Sequence, residues 1–131
     1  MTISDLPAPV AAYIASTNAS DIEALLATFS NDALVNDHRN EFTDRDAIRN
    51  WAQREIIDDR VTMQVSSATC RGNSVAITAN VGGNFDKTGL PDPLVLTFYF
   101  SVSGEQIDQL IIVHNKPAAW ARAGCAGGGK P

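Results

Sequence analysis

The feature that most constrains this chain is a change of hydrophobic period near its midpoint. As far as Ile56 the apolar side chains recur every three to four positions, the spacing of an amphipathic helix. From Val61 onward, β-branched and aromatic residues alternate with polar ones at a period of two, the spacing of a half-buried strand. A front half of helices followed by a run of strands predicts an α+β layer fold rather than a bundle, a sandwich or a βαβ repeat.

The helical half divides at its caps. Val10, Tyr13, Ile14 and Thr17 share one face of a first helix, with Ser4 and Asp5 available as caps and Pro7 and Pro9 tolerable only near its start. Ser20-Asp21-Ile22-Glu23 reads as a capping box, with the serine oxygen accepting from a backbone amide while Glu23 reaches back. Ile22, Leu25, Leu26 and Phe29 then give a short second helix stopped by Asn31 and Asp32. Ala33-Leu34-Val35 predicts a short strand that runs into a polar loop over 36–40. Thr43, three residues before Asp46, opens a third helix carried by Ile48, Trp51, Ala52 and Ile56. In the second half strands are expected over 61–70, 75–85, 94–102 and 106–114. The separators 71–74 and 103–105 have hairpin length, so these neighbours should pair antiparallel, whereas 86–93 is a longer loop. Gly82-Gly83 points to a bulge or bend in the second of these strands.

Composition narrows the function classes. The chain has 131 residues, 44% of them apolar and 19% charged, which suits one self-folding domain over 1–120 and not a disordered segment. The closing stretch 121–131 is glycine-rich and is expected to be a flexible tail. A net charge of −5 with no Lys/Arg cluster argues against nucleic acid and against an anionic membrane surface. The longest apolar run, 94–102, is too short to span a bilayer, and the start of the chain lacks a basic segment followed by an apolar core, so a cytoplasmic protein is expected. Cys70 and Cys125 are far apart with no Cys-x-x-Cys spacing, and free thiols are expected. His38 and His114 are equally distant, and the paired glycines precede a strand end instead of a helix. Neither a metal nor a nucleotide or other cofactor is expected.

Tyr13 to Asp21, Leu25 to Ala33, Asp37, and Asp46-Ala47-Ile48-Arg49-Asn50-Trp51 together resemble, in pattern and order, the N-terminal half of SnoaL-like proteins and ketosteroid isomerases of the nuclear-transport-factor-2-like superfamily. The rhythm of Phe98-Tyr99-Phe100 and of 107–112 extends the likeness over most of the chain. The resemblance implies a cone-shaped α+β barrel of the cystatin-like type, three helices packed on a curved, mostly antiparallel sheet with a pocket at the wide end. It further implies a homodimer formed through the outer sheet face, here the face bearing Thr97, Tyr99 and Ser101.

The resemblance also implies roles. Asp37 falls where the isomerases carry the aspartate that moves a proton between carbons, and a carboxylate suits that task when an apolar pocket desolvates it. A loop aspartate is equally a common turn former. Tyr13 falls where a phenol donates to a developing oxyanion, although a tyrosine on an apolar helix face is often plain core. His38 offers a second acid or base, but neighbours in an extended segment point to opposite sides, which sets it against Asp37. The isomerases' second donor, a strand carboxylic acid, is replaced here by Leu96, which cannot donate. Phe42, Trp51, Leu96, Phe98 and Phe100 are candidate lining, and His114 a candidate polar contact on the face of Leu110 and Ile112. Two readings fit: a small-molecule-binding protein acting as an isomerase, cyclase or hydratase on an apolar carbonyl compound, or a non-catalytic ligand-binding or dimerisation module.

Overall fold

A computed structural model describes residues 6–90 and 93–114. The order of elements is α1 (Ala8–Asn18), α2 (Ile22–Ala27), β1 (Phe29–Asp37), β2 (Asn40–Phe42) and α3 (Arg45–Ala52), which continues as a π-helical turn over Gln53–Ile57. β3 (Thr62–Arg71), β4 (Ser74–Gly82), β5 (Val95–Ser103) and β6 (Gln106–His114) follow. The sheet order is β2-β1-β6-β5-β4-β3, with every neighbouring pair antiparallel except β1 and β6. The four long strands therefore form a meander, and β1 closes it by lying parallel to the last of them. The sheet is curved and its concave face holds the helices, as in the nuclear-transport-factor-2-like cone.

Local chemistry sets the helix ends. Pro7 is the N-cap of α1, with Pro9 in the first turn where no amide is needed. The Ser4/Asp5 cap expected from the sequence lies outside the described residues. The capping box is displaced by one residue: Asp21, not Ser20, caps α2 through a 3.1 Å bond from the Ala24 amide, while Ser20 takes a positive φ of 54° to turn the chain. Glu23 is thereby released to pair with Arg49 at 2.9 and 3.3 Å, joining α2 to α3. Asp44 rather than Thr43 caps α3, accepting from Ala47 at 2.7 Å. Helix α2 is shorter than expected because Phe29 begins β1, and β1 itself continues through Asn36 and Asp37 where a loop was expected. His38 and Arg39, at φ values of 53° and 77°, make the two-residue turn into β2, a conformation that Asn-Gly ordinarily supplies and that sequence alone did not signal.

The core forms where strand alternation meets α1. Ile77, Phe98 and Ile112 are register partners across three strands, as are Val75, Phe100 and Leu110, and all six are buried. Tyr13 of α1 lies edge-on to Phe100 and Phe29 at centroid distances of 5.2 and 6.1 Å. Asn18, the last residue of α1, grips the edge strand β3 at both ends of one residue. Its carbonyl accepts from the Met63 amide at 2.7 Å and its NH₂ donates to the Met63 carbonyl at 3.1 Å. Gly82-Gly83 end β4 instead of bulging it. A Cβ on Gly83 would stand 2.9 Å from the Asp59 carbonyl, so only glycine lets the strand end approach that turn. The register shifts instead fall between Phe29 and Leu34 in β1, between Val65 and Ser67 in β3 and between Ser101 and Val102 in β5.

Two further details of the sheet stand out. The face bearing Thr97, Tyr99 and Ser101 is not open: Thr97, flanked by Thr78 and Val113 in mid-sheet, is 1% exposed, and the other two are half-buried. Cys70 is disulfide-bonded, not a free thiol, because pairing depends on distance in the fold, which separation along the chain does not report. Cys125 and the expected flexible tail, 121–131, lie outside the described residues. Asn18→Ala should lower stability by about 2 kcal/mol, since it leaves both Met63 backbone groups unpaired at a half-buried edge. Urea unfolding measures this, and an unchanged midpoint would show that α1 is held by packing alone.

Candidate functional site

Between the helices and the concave face of the sheet lies a cavity of about 390 Å³, within the roughly 300–1,000 Å³ typical of small-molecule sites. Its wall is mostly apolar. Trp51 and Ile56 come from α3 and its π-helical extension, Met63 and Val81 from β3 and β4, and Leu96, Phe98 and Ile112 from β5 and β6. Phe85, Leu90 and Leu94 come from the long loop. Tyr13, Thr17, Asp37, His38, Glu55, Asp59 and Asp86 supply the polar part of the lining. The described lining contains no Lys or Arg.

Asp37 is the last residue of β1, and its carboxylate is held at both oxygens. Oδ2 accepts from the indole Nε1 of Trp51 at 3.0 Å, and Oδ1 meets Nδ1 of His38 at 2.7 Å. An ionised carboxylate only accepts, so in that state Nδ1 carries the proton of the second contact. Each oxygen keeps a further lone pair, which leaves the carboxylate able to take a proton from a ligand. Trp51 is fully buried, whereas the Asp37 side chain is 22% exposed. His38 does face the cavity beside Asp37, contrary to the alternation expected of an extended segment, because its φ of 53° breaks that alternation. A non-glycine residue in this region is strained, and here the strain brings two titratable side chains to one site.

Tyr13 projects from α1 into the same space and is 1% exposed. Burial pushes its phenol well above the ordinary value of 10.0, and the charge of Asp37 pushes it further. The Thr17 hydroxyl, one helical turn on, pulls weakly the other way, yet Thr17 Oγ1 makes no hydrogen bond of acceptable geometry. Tyr13 is therefore a neutral donor at any physiological pH.

The structure brings Asp37, Tyr13, Trp51, Leu96 and Phe98 together around one cavity, and His38, expected on the opposite side, joins them. Two expected lining residues fall elsewhere. Phe100 is core beneath Tyr13, since the cavity ends one register step short of it. Phe42, on β2, packs against Trp51 at 6.2 Å and borders a separate polar groove with Arg39, Glu41 and Arg54. That groove shares Asp37, His38, Trp51 and Glu55 with the cavity. His114 ends β6 opposite Leu96, and its side chain is outside the described part. Sequence reasoning missed Thr17, Glu55, Asp59 and Asp86 as lining. Thr17 was legible as the position four after Tyr13, on the same helix face.

Because neutral Tyr13 is favoured in the folded chain, the unfolded chain releases its tyrosine proton first, and stability must fall as pH rises above 10. Native protein should lose about 1.4 kcal/mol per pH unit there relative to Tyr13→Phe. Paired denaturant titrations between pH 8 and about pH 11 check this, and a constant difference between the two proteins would place the phenol in water.

The comparisons with known proteins agree with this architecture. A crystal structure of a protein described as a polyketide cyclase from Sinorhizobium meliloti superposes with a TM-score of 0.74 at 27% identity, covering 86% of this chain and 100% of that one. A second such protein, from Xanthomonas campestris pv. campestris, gives 0.67 at 26% identity over 82% and 87% of the two chains. A protein with a ketosteroid isomerase-like fold from Catenulispora acidiphila, in complex with trimethylamine, gives 0.67 at 23% identity over 91% and 95%. No curated protein sequence matches the chain. Among the described residues no helix is long and apolar enough to cross a membrane. The SnoaL-like domain model matches residues 10–110, most of the helices and all but the end of the sheet, and the chain belongs to that family.

Proposed function

We propose that the domain takes one small, uncharged, largely apolar carbonyl compound into the cavity, and that Asp37 moves a proton at the carbon next to the carbonyl. One observation carries this reading: a carboxylate fixed at both oxygens and a neutral buried phenol line the same apolar cavity. In the step, Asp37 accepts the proton as the C–H bond breaks, the electron pair passes into the carbonyl to give an enolate, and Tyr13 donates a hydrogen bond to the enolate oxygen. The proton then returns to the same or a conjugated carbon. His38 holds Asp37 Oδ1 in place and stands beside the path to the polar groove.

The charge of the lining supports an uncharged ligand. With Asp37, Glu55, Asp59 and Asp86 around the cavity and no described cation among them, an anionic ligand meets repulsion that a ketone does not. The two relatives described as polyketide cyclases fit the same substrate chemistry. Leu96 favours the rival reading, a ligand-binding domain without turnover, because an apolar side chain lines the cavity where a second acidic donor would aid catalysis.

Exchange of deuterium into the α-carbons of 2-tetralone, followed by proton NMR in D₂O, separates the two. Native protein should accelerate exchange, and Asp37→Asn should reduce that acceleration by about 10²–10⁴-fold with the fold intact by circular dichroism. Binding of 2-tetralone without accelerated exchange would select the non-catalytic reading.

A further inference from the structure

We propose that Thr17 and Tyr13 together form the subsite that receives the ligand's acceptor oxygen, so that the α1 wall of the cavity offers two hydroxyls to one carbonyl. This rests on the reading of the cavity as a site for a carbonyl compound and names the second group that would hold it.

Thr17 Oγ1 is buried in a residue that is 1% exposed, and it has no hydrogen-bond partner. Among the described residues it is the side-chain polar atom left in that condition. A serine or threonine inside a helix ordinarily returns its hydroxyl to the carbonyl one turn back. Ser16, its neighbour, does so with the Ala12 carbonyl at 2.6 Å, and Thr28 donates to the Leu25 carbonyl at 2.7 Å. Thr17 has the same option and does not use it, although burying an unmade hydroxyl bond is unfavourable.

The place of this hydroxyl gives it a use. Residues 13 and 17 are one turn apart on the same face of α1, and both line the cavity. The Thr17 side chain opposes the upward shift of the Tyr13 phenol, as a neighbouring hydroxyl does. Two hydroxyls on one helix face can serve the two lone pairs of a single carbonyl oxygen. The carboxylates among the described lining exclude a second anion as the favoured occupant, which leaves a neutral acceptor such as a ketone, aldehyde or ester. The arrangement also answers the absence of a donor at Leu96: the second hydrogen bond comes from the helix beside Tyr13 instead of from β5.

The test compares 2-tetralone with tetralin, the same bicycle without the oxygen, by calorimetric titration of the full chain. Thr17→Val keeps the volume and removes the hydroxyl, and Thr17→Ser keeps the hydroxyl. Native protein should prefer the ketone. Thr17→Val should weaken 2-tetralone binding about tenfold with tetralin unchanged, and Thr17→Ser should stay near native. The infrared carbonyl band of bound 2-tetralone should sit at lower frequency in native protein and Thr17→Ser than in Thr17→Val. Equal ketone affinity and an unmoved band in Thr17→Val would overturn the subsite and leave the cavity reading standing. Failure of native protein to bind either compound would overturn both. Should Thr17→Val not fold, Thr17→Ala is read by the same two measurements.

Discussion

The indole N–H of Trp51 reaches the carboxylate of Asp37 at 3.0 Å, tying the last turn of α3 to the last residue of β1. Much else depends on that contact. Trp51 is among the largest buried side chains, so its ring position is set by packing and its N–H is aimed without rotational freedom. Without it the carboxylate, at the end of a strand, would be held only by the neighbouring His38. The parallel pairing of β1 with β6 does the complementary work, since it carries Asp37 into register with Ile112 on the cavity wall. Helix and strand thus meet at one side chain, and the tight turn at His38 and Arg39 adds a histidine to the same spot.

The cavity is apolar in area but not in consequence. Four of its polar residues fall into two sets, Asp37 with His38 from β1 and its turn, and Tyr13 with Thr17 from α1, while Glu55, Asp59 and Asp86 add further acidic side chains to the lining. In the proposed function the first set accepts the proton and the second donates hydrogen bonds. That division is what a proton transfer next to a carbonyl requires, and it also orients a ligand that is merely bound. Asn18 belongs to the same design, because by gripping the Met63 backbone it fixes the end of α1 that presents Thr17.

Much of the fold was legible in the sequence, and the reasons are particular. Strands β3 to β6 followed from alternation and fell within a few residues of their expected limits, because a half-buried strand writes its period directly into the chain. Helix α1 and helix α3 were equally plain. What failed was local. Ser20 and Thr43 look like caps, but Asp21 and Asp44 perform the task. Strand β2 was hidden because His38-Arg39 is not a turn that sequence chemistry announces. Asp37, Tyr13, Trp51, Leu96 and Phe98 were legible as site residues through position and resemblance. Glu55 and Asp59 were not, because the π-helical turn and the turn after it re-aim side chains that a regular helix would place elsewhere. Cys70 was misread because nothing along the chain encodes its pairing in space.

Crystallisation of the chain with a bicyclic ketone tests most directly whether the hollow is a ligand site. The ketone should lie between Trp51 and Phe98, its oxygen toward Tyr13 and its adjacent carbon within reach of Asp37. A solidly packed interior, with the Asp37 carboxylate turned outward and the ketone absent or bound on the surface, would contradict the site while leaving the fold as it is.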